Sequence, residues 1–260
     1  RLSLVGSEMC IRDSSMVDRW VQDHQKDAWR KQAKASGYRA RSAFKLKQIQ
    51  ERHKIIHSQD SVLDVGCHPG GWAQVAVELV GENGKVVGVD LQSCVPVDGA
   101  NLIVGDITEP FTQQAVLDAI DTEVIDVVVS DISPHITGKW DIDQAVSLML
   151  VADVFDFALP ILKYGGHFVT KLFQGVGVEE LIELVKPHFQ VVKRFSPMAS
   201  RNSSSEVYLI CKFHTPKRGP DWQIRPAFED ALEHRQGGPE PDEDVEPAKS
   251  TFQVRKKKTD

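Results

Sequence analysis

Ser61-Val62-Leu63-Asp64-Val65-Gly66-Cys67-His68-Pro69-Gly70-Gly71-Trp72 is the stretch that decides the fold. Five residues suited to a buried strand run into a glycine turn, and Gly71–Val80 behind it has the apolar spacing of a helix. Strand, glycine turn and helix in that order begin a βαβ unit, whose turn lets the backbone approach a ligand closely. The glycines are spaced G-x-x-x-G-G, from Gly66 to Gly71. A dinucleotide pyrophosphate calls for G-x-G-x-x-G above a helix N-terminus, so a nicotinamide-dependent oxidoreductase is disfavoured. S-adenosylmethionine has no phosphate, and a wider glycine turn suits its methionine end.

Downstream the pattern alternates. Strands are expected over Lys85–Val89, Asn101–Val104, Val124–Val129, Gly166–Leu172, Gln190–Arg194 and Val207–Phe213. Helices are expected over Thr112–Ile120, Asp143–Leu162 and Gly177–Lys186. Strands alternating with helices predict an α/β, Rossmann-like domain with a mostly parallel seven-stranded sheet and helices on both faces. The last two strands have no helix between them, which predicts an antiparallel hairpin at the sheet edge.

Upstream lies a basic arm. From Arg19 to Lys54 there are 11 Lys and Arg against 3 Asp and Glu, whereas Ile55 to His214 holds 9 against 21, in a chain of net charge −6. A basic arm on an acidic body suggests nucleic-acid contact confined to one face, although a solvated helix with surplus cations has the same composition. The arm has helical spacing (Ala40, Ala43, Phe44, Ile49) and a break at Gly37. Tyr38 and Phe44 are candidates to stack on bases or to pack inward, and Arg39 and Arg41 are candidates for phosphates or solvent.

The expected organisation is therefore residues 1–15 as a segment foreign to the fold or disordered, with Met16 near the true start. Residues 16–54 are expected to form a basic helical arm for RNA, 55–214 the α/β domain that holds the cofactor, and 215–260 a disordered charged tail ending in the basic run Arg255–Lys258. Cys10, Cys67, Cys94 and Cys211 have no C-x-x-C spacing, so neither zinc nor a disulfide framework is indicated. No apolar run has the length of a membrane span. A cytoplasmic monomer is the expectation.

Three carboxylates stand in register with the glycine turn. Asp90 ends the second strand and can accept from both hydroxyls of a ribose. Asp106 follows the third strand, within reach of an adenine amino group, and Asp131 follows the fourth. Open α/β sheets bind ligands at this edge. Each aspartate alone can be a turn residue or helix cap. Asp64, inside its strand, is expected to order the loop.

With these residues in place, the sequence resembles the FtsJ/RrmJ-type (RlmE family) ribosomal RNA large-subunit uridine 2′-O-methyltransferases. The resemblance runs from about Arg19 to Lys212. It includes Arg19-Trp20-Val21, Gly37 to Leu46, Pro69-Gly70-Gly71-Trp72, Ser130-Asp131, Lys171-Leu172-Phe173-Gln174-Gly175 and Ser203-Ser204-Ser205-Glu206-Val207-Tyr208. It implies a Lys-Asp-Lys-Glu catalytic tetrad on Lys45, Asp131, Lys171 and Glu206. It implies cofactor contacts on Gly70, Trp72, Asp90, Asp106 and Asp131.

The chemistry fits that set. A ribose hydroxyl must lose its proton as it attacks the methyl group of S-adenosylmethionine, and a Lys serves as base only if its pKa falls toward neutrality. A neighbouring ammonium favours this, while carboxylates orient the amine. Lys171, at the end of a central strand, is the expected base, with Lys45 the tuning cation and Asp131 and Glu206 the positioning carboxylates. No metal is needed. Cys67, His68 and His135 depart from the family pattern. His68 either crowds the methionine end or points to solvent. The expected partner is ribosomal RNA or the large subunit. The alternatives are tRNA or an mRNA cap as target, or a cofactor-binding assembly factor without turnover.

Overall fold

Ser61–Val65 forms β1, and Gly71–Val80, capped by Gly70 in the left-handed region, forms α3. The computed structural model describes residues 28–200, 205–216, 219 and 222–236. Ahead of β1 stand helical residues 28–35 (α1) and α2, Ala43–His53. After α3 the order is β2 (Lys85–Asp90), β3 (Ala100–Val104), α4 (Pro110–Ile120), β4 (Ile125–Ser130), α5 (Trp140–Ala158) and β5 (Leu162–Phe173). Then come α6 (Val178–Val185), a 3-10 turn at Lys186–His188, β6 (Phe189–Phe195), β7 (Glu206–His214) and α7 (Ile224–Gln236).

The sheet order is β3-β2-β1-β4-β5-β7-β6. β1 to β5 are parallel, as the alternating pattern predicts. β7 runs against both of its neighbours and leaves β6 as the edge strand, the hairpin expected there.

The period-2 alternation of the strands sorts their side chains into two cores. Leu63, Val87, Val128, Phe168 and Leu209 pack with α4, α5 and α6 on one face. Val62, Val86, Val127, Val129, Val169, Tyr208 and Ile210 pack with α2 and α3 on the other.

Three expectations are corrected. α5 starts at Trp140 and ends at Ala158, short of Leu162, because Pro160 has no N–H with which to continue the helical ladder. β5 starts at Leu162 rather than Gly166, and its pairing with β4 shifts register between Ile125 and Val127. The expected tail from residue 215 is not a tail throughout. α7 docks on α5 and α6 and fully buries Ile224 and Phe228. The Asp156 carboxylate accepts the main-chain N–H groups of Ile224 and Arg225, satisfying donors that a helix N-terminus leaves open. Two apolar side chains among charges are too sparse for a compositional reading to register. Residues 1–15, the arm before Ala28 and residues 237–260 lie outside the described residues. Among the described residues no helix is long and apolar enough to cross a membrane.

Candidate active site

The same alternation that sorts the cores places the polar residues. Asp64 on β1, Lys171 on β5, and Glu206 and Tyr208 on β7 share the strand parity of Val62, Val169 and Ile210, so all four turn toward α2 and α3. Asp131 follows β4 with the parity of Val129. Ser130 is in register with Thr170, so Asp131 falls beside Lys171, and Lys171 is paired with Tyr208 on the next strand. Because β7 is antiparallel, its beginning lies where the parallel strands end. α2 brings Lys45, only 5% exposed, over the same spot.

The four tetrad residues meet in two ion pairs. Lys171 Nζ lies 3.3 Å from Asp131 Oδ1 and donates to the Asp131 main-chain carbonyl at 2.8 Å. Lys45 Nζ lies 3.0 Å from Glu206 Oε2. Tyr208 ties them together: its hydroxyl donates to Asp131 Oδ1 at 2.7 Å, and its ring centre is 5.5 Å from Lys45 Nζ. Burial alone would raise the Asp131 carboxyl. The ammonium groups of Lys171 and Lys45, with the Tyr208 and Lys171 hydrogen bonds, hold it below the ordinary carboxylate range. Burial first, then the Asp131 charge, pushes the Tyr208 phenol well up, so it stays a donor.

Asp131 also lines a cleft of about 520 Å³ at the strand ends, with Gly66, His68, Asp90, Gly105, Asp106, Ser133 and His135. Asp90 accepts the main-chain N–H groups of His68 (3.0 Å) and Gln92 (2.8 Å). Asp106 accepts from the Thr108 N–H and hydroxyl at 2.9 and 2.8 Å. Both aspartates are thus turn residues and cleft residues at once, since each carboxylate oxygen keeps a further lone pair. Gly66 has φ +81, and a Cβ there would stand 2.7 Å from the Ile132 main chain. The turn after β1 and the loop after β4 approach so closely that only glycine fits.

Gly70 and Trp72 stand apart from the cleft lining. Gly70, at φ +104, caps α3 against the Arg39 side chain. Trp72 is buried, donates Nε1–H to the Ser42 carbonyl at 2.8 Å, and packs its ring 5.7 Å from that of Tyr208. Asp64 is fully buried, with neither carboxylate oxygen hydrogen-bonded to a side chain. Burial and the charges of Asp131 and Asp90 push its carboxyl well up, while the Ala73 N–H at the start of α3 opposes them.

The arm residues settle into supports. Tyr38 is buried and its hydroxyl bonds Glu78, while Phe44 packs against Trp29 and Tyr38. The Arg39 guanidinium holds the carbonyls of Val95 and Pro96 in the loop after β2. Arg41 is close enough to Tyr208 for its charge to act on the phenol. His68 is exposed at the wall of the cleft, with Nδ1 3.2 Å from the Ser93 carbonyl. Tyr208 is the residue whose role sequence reasoning missed. Its signal was the two-residue spacing from Glu206, which on a strand means the same face.

A doubly wound sheet with a carboxylate at successive strand ends, joined through Asp131 to a buried Lys-Asp-Lys-Glu cluster, defines a Rossmann-like, class I type methyltransferase. Residues 38–214 match the FtsJ-like methyltransferase family, and the chain belongs to that family. It is 45% identical over 187 residues to the ribosomal RNA large subunit methyltransferase E of Methanosarcina acetivorans, covering 72% of this chain and 68% of that one. To the protein of the same name from Marinobacter nauticus it is 40% identical over 199 residues, covering 76% and 96%. A Plasmodium falciparum structure described as a ribosomal RNA methyltransferase superposes with a TM-score of 0.61 at 26% identity, over 68% of this chain and 98% of that one. α7 lies beyond the family match.

Proposed function

We propose that the protein methylates the 2′-hydroxyl of a uridine in large-subunit ribosomal RNA, in the cytoplasm, with S-adenosylmethionine as donor and Lys171 as general base. The observation that carries this reading is Asp131, which belongs to the cofactor cleft and the Lys171 ion pair at once. The names of relatives at 40–45% identity support the RNA class.

The cleft fits the donor. Asp90 has lone pairs for a ribose diol, Asp106 one strand further can take an exocyclic amine, and the Gly66 turn leaves room at the end near Asp131. Gly70 and Trp72 would act from beneath, by fixing the start of α3 and the Tyr208 ring. When bound, S-adenosylmethionine supplies an electrophilic methyl group.

The chain's residues do the rest. Lys171 Nζ takes the hydroxyl proton as the oxygen attacks, and Asp131 fixes its position through side chain and carbonyl. Tyr208 restrains Asp131. Lys45, paired with Glu206, keeps a second cation in the cluster. Incubation of purified large subunits with labelled S-adenosylmethionine, followed by nucleotide mapping, tests the proposal. Label on a uridine ribose is expected; label confined to a base, or none on the subunit, overturns it.

A further inference from the structure

A methyl acceptor must be held as well as deprotonated, and the described aromatic residues of the arm, Trp29, Tyr38 and Phe44, pack on one another. Another aromatic stands open one ring removed from Lys171. Trp140, the first residue of α5, is 48% exposed. Its ring meets Phe173 edge to face at 5.7 Å and 72°. Phe173 is nearly buried, and its ring centre lies 5.6 Å from Lys171 Nζ. Two rings thus lead outward from the amine to solvent.

The mount of Trp140 is rigid. The buried Asp143 carboxylate accepts the Thr137 N–H and hydroxyl and the Gly138 N–H, at 2.7 to 2.9 Å, fixing the loop that precedes α5. Gln144 donates to the carbonyls of Phe173 and Val176 and so ties α5 to the segment after β5. Ile136 and Val176, both more than half exposed, add apolar surface on these two segments. A large aromatic held in place yet left half in water loses apolar burial, a cost consistent with a binding surface.

We propose that Trp140 is the platform on which the base of the methylated nucleoside stacks. The inference rests on the reading of this site as a ribose methyltransferase. The base is attached to the ribose carbon adjacent to the one bearing the 2′-hydroxyl, so a hydroxyl delivered to Lys171 brings its base against the neighbouring wall, which is Phe173 and Trp140. Stacking serves any base, because each has a π-face. Trp140 therefore holds the nucleoside, while identity is read by other groups.

The test compares wild type, Trp140→Phe and Trp140→Leu in methylation of large subunits with labelled S-adenosylmethionine, alongside calorimetric titration of that cofactor into each. Trp140→Leu is expected to lose about 10- to 100-fold in kcat/KM, the value of one base stack, with cofactor affinity unchanged. Trp140→Phe keeps an aromatic face and is expected to stay within about threefold of wild type on the same scale. A leucine variant as active as wild type, or a phenylalanine variant as impaired as leucine, overturns the platform and leaves the parent reading intact. A wild-type chain that labels no ribose overturns the parent reading and the platform together.

Discussion

Lys171 and Asp131 are joined twice, through a 3.3 Å contact to the carboxylate and a 2.8 Å hydrogen bond to the main-chain carbonyl of the same residue. The second contact survives loss of the carboxylate, because a backbone carbonyl is present whatever the side chain. The amine is therefore placed by the fold of the loop after β4, and the Asp131 side chain adds charge to a position already set.

Replacement of Lys171 separates chemistry from binding. Lys171→Met is expected to lower the single-turnover rate by about 10²- to 10⁴-fold, the range of a general base. Calorimetry is expected to show cofactor affinity within about threefold of wild type, since Lys171 is not among the cleft-lining residues. A rate drop below tenfold would remove Lys171 from the role of base.

Asp131 should behave differently because it serves both halves of the site. Asp131→Asn is expected to weaken cofactor binding and also to slow single-turnover transfer. The two losses can be separated by measuring rate at saturating cofactor. A defect that vanishes on saturation would confine Asp131 to the cleft.

Lys45 and Glu206 form a nearly buried pair, at 7% and 20% side-chain exposure. Removing one partner strands the other charge out of water, so Lys45→Met and Glu206→Gln are each expected to destabilise the protein by roughly 2–4 kcal/mol. The double variant should cost less than the two single losses combined, with a coupling of about 0.5–3 kcal/mol. Urea unfolding of the four proteins checks this, and strict additivity would contradict the pairing.

Acid stability should carry the mark of His167. Burial, reinforced by the Lys212 charge, lowers its pKa to about 4, and its Nδ1 accepts the Phe213 N–H at 3.3 Å as a neutral ring does. The folded value lies below the unfolded one of about 6.5, so the unfolded chain binds the proton first. The contribution of His167 is then expected to fall as pH drops from about 6.5 toward 4 and to level off below, a loss of roughly 1–3 kcal/mol from this residue. His167→Gln keeps an acceptor without a titrating ring and should flatten that part of the profile in melts recorded across the range.

The docking of α7 is open to direct measurement. Phe228 is completely buried, and Phe228→Ala is expected to cost about 3–5 kcal/mol if α7 unfolds together with the domain. If α7 melts separately, a new early transition appears instead. Methyl transfer at low temperature should persist in either case, since α7 contributes no residue to the Lys171 cluster.

Much of this site was legible in the chain because strands obey a two-residue rule. The glycine turn marked β1, and the aspartates at the strand ends marked the cleft. Lys171 and Tyr208 could be assigned a face once their strands were known. What stayed hidden depends on distance in three dimensions. That Trp72 turns inward to Tyr208, that Arg39 is spent on the carbonyls of Val95 and Pro96, and that Trp140 stands beside Phe173 are facts of packing between elements far apart in sequence. α7 was missed for a different reason: its fully buried anchors, Ile224 and Phe228, sit among charges that outweigh them in any composition.

The direction of β7 has a consequence in time. Its first residues, Glu206 and Tyr208, are the last parts of the site to be synthesised, yet they occupy its centre, between α2 and the end of β4. A growing chain that has completed β1 to β6 still lacks the counter-charge of Lys45 and the tyrosine of Asp131, so the reactive cluster is complete only when the strand that threads back between β5 and β6 has been laid in.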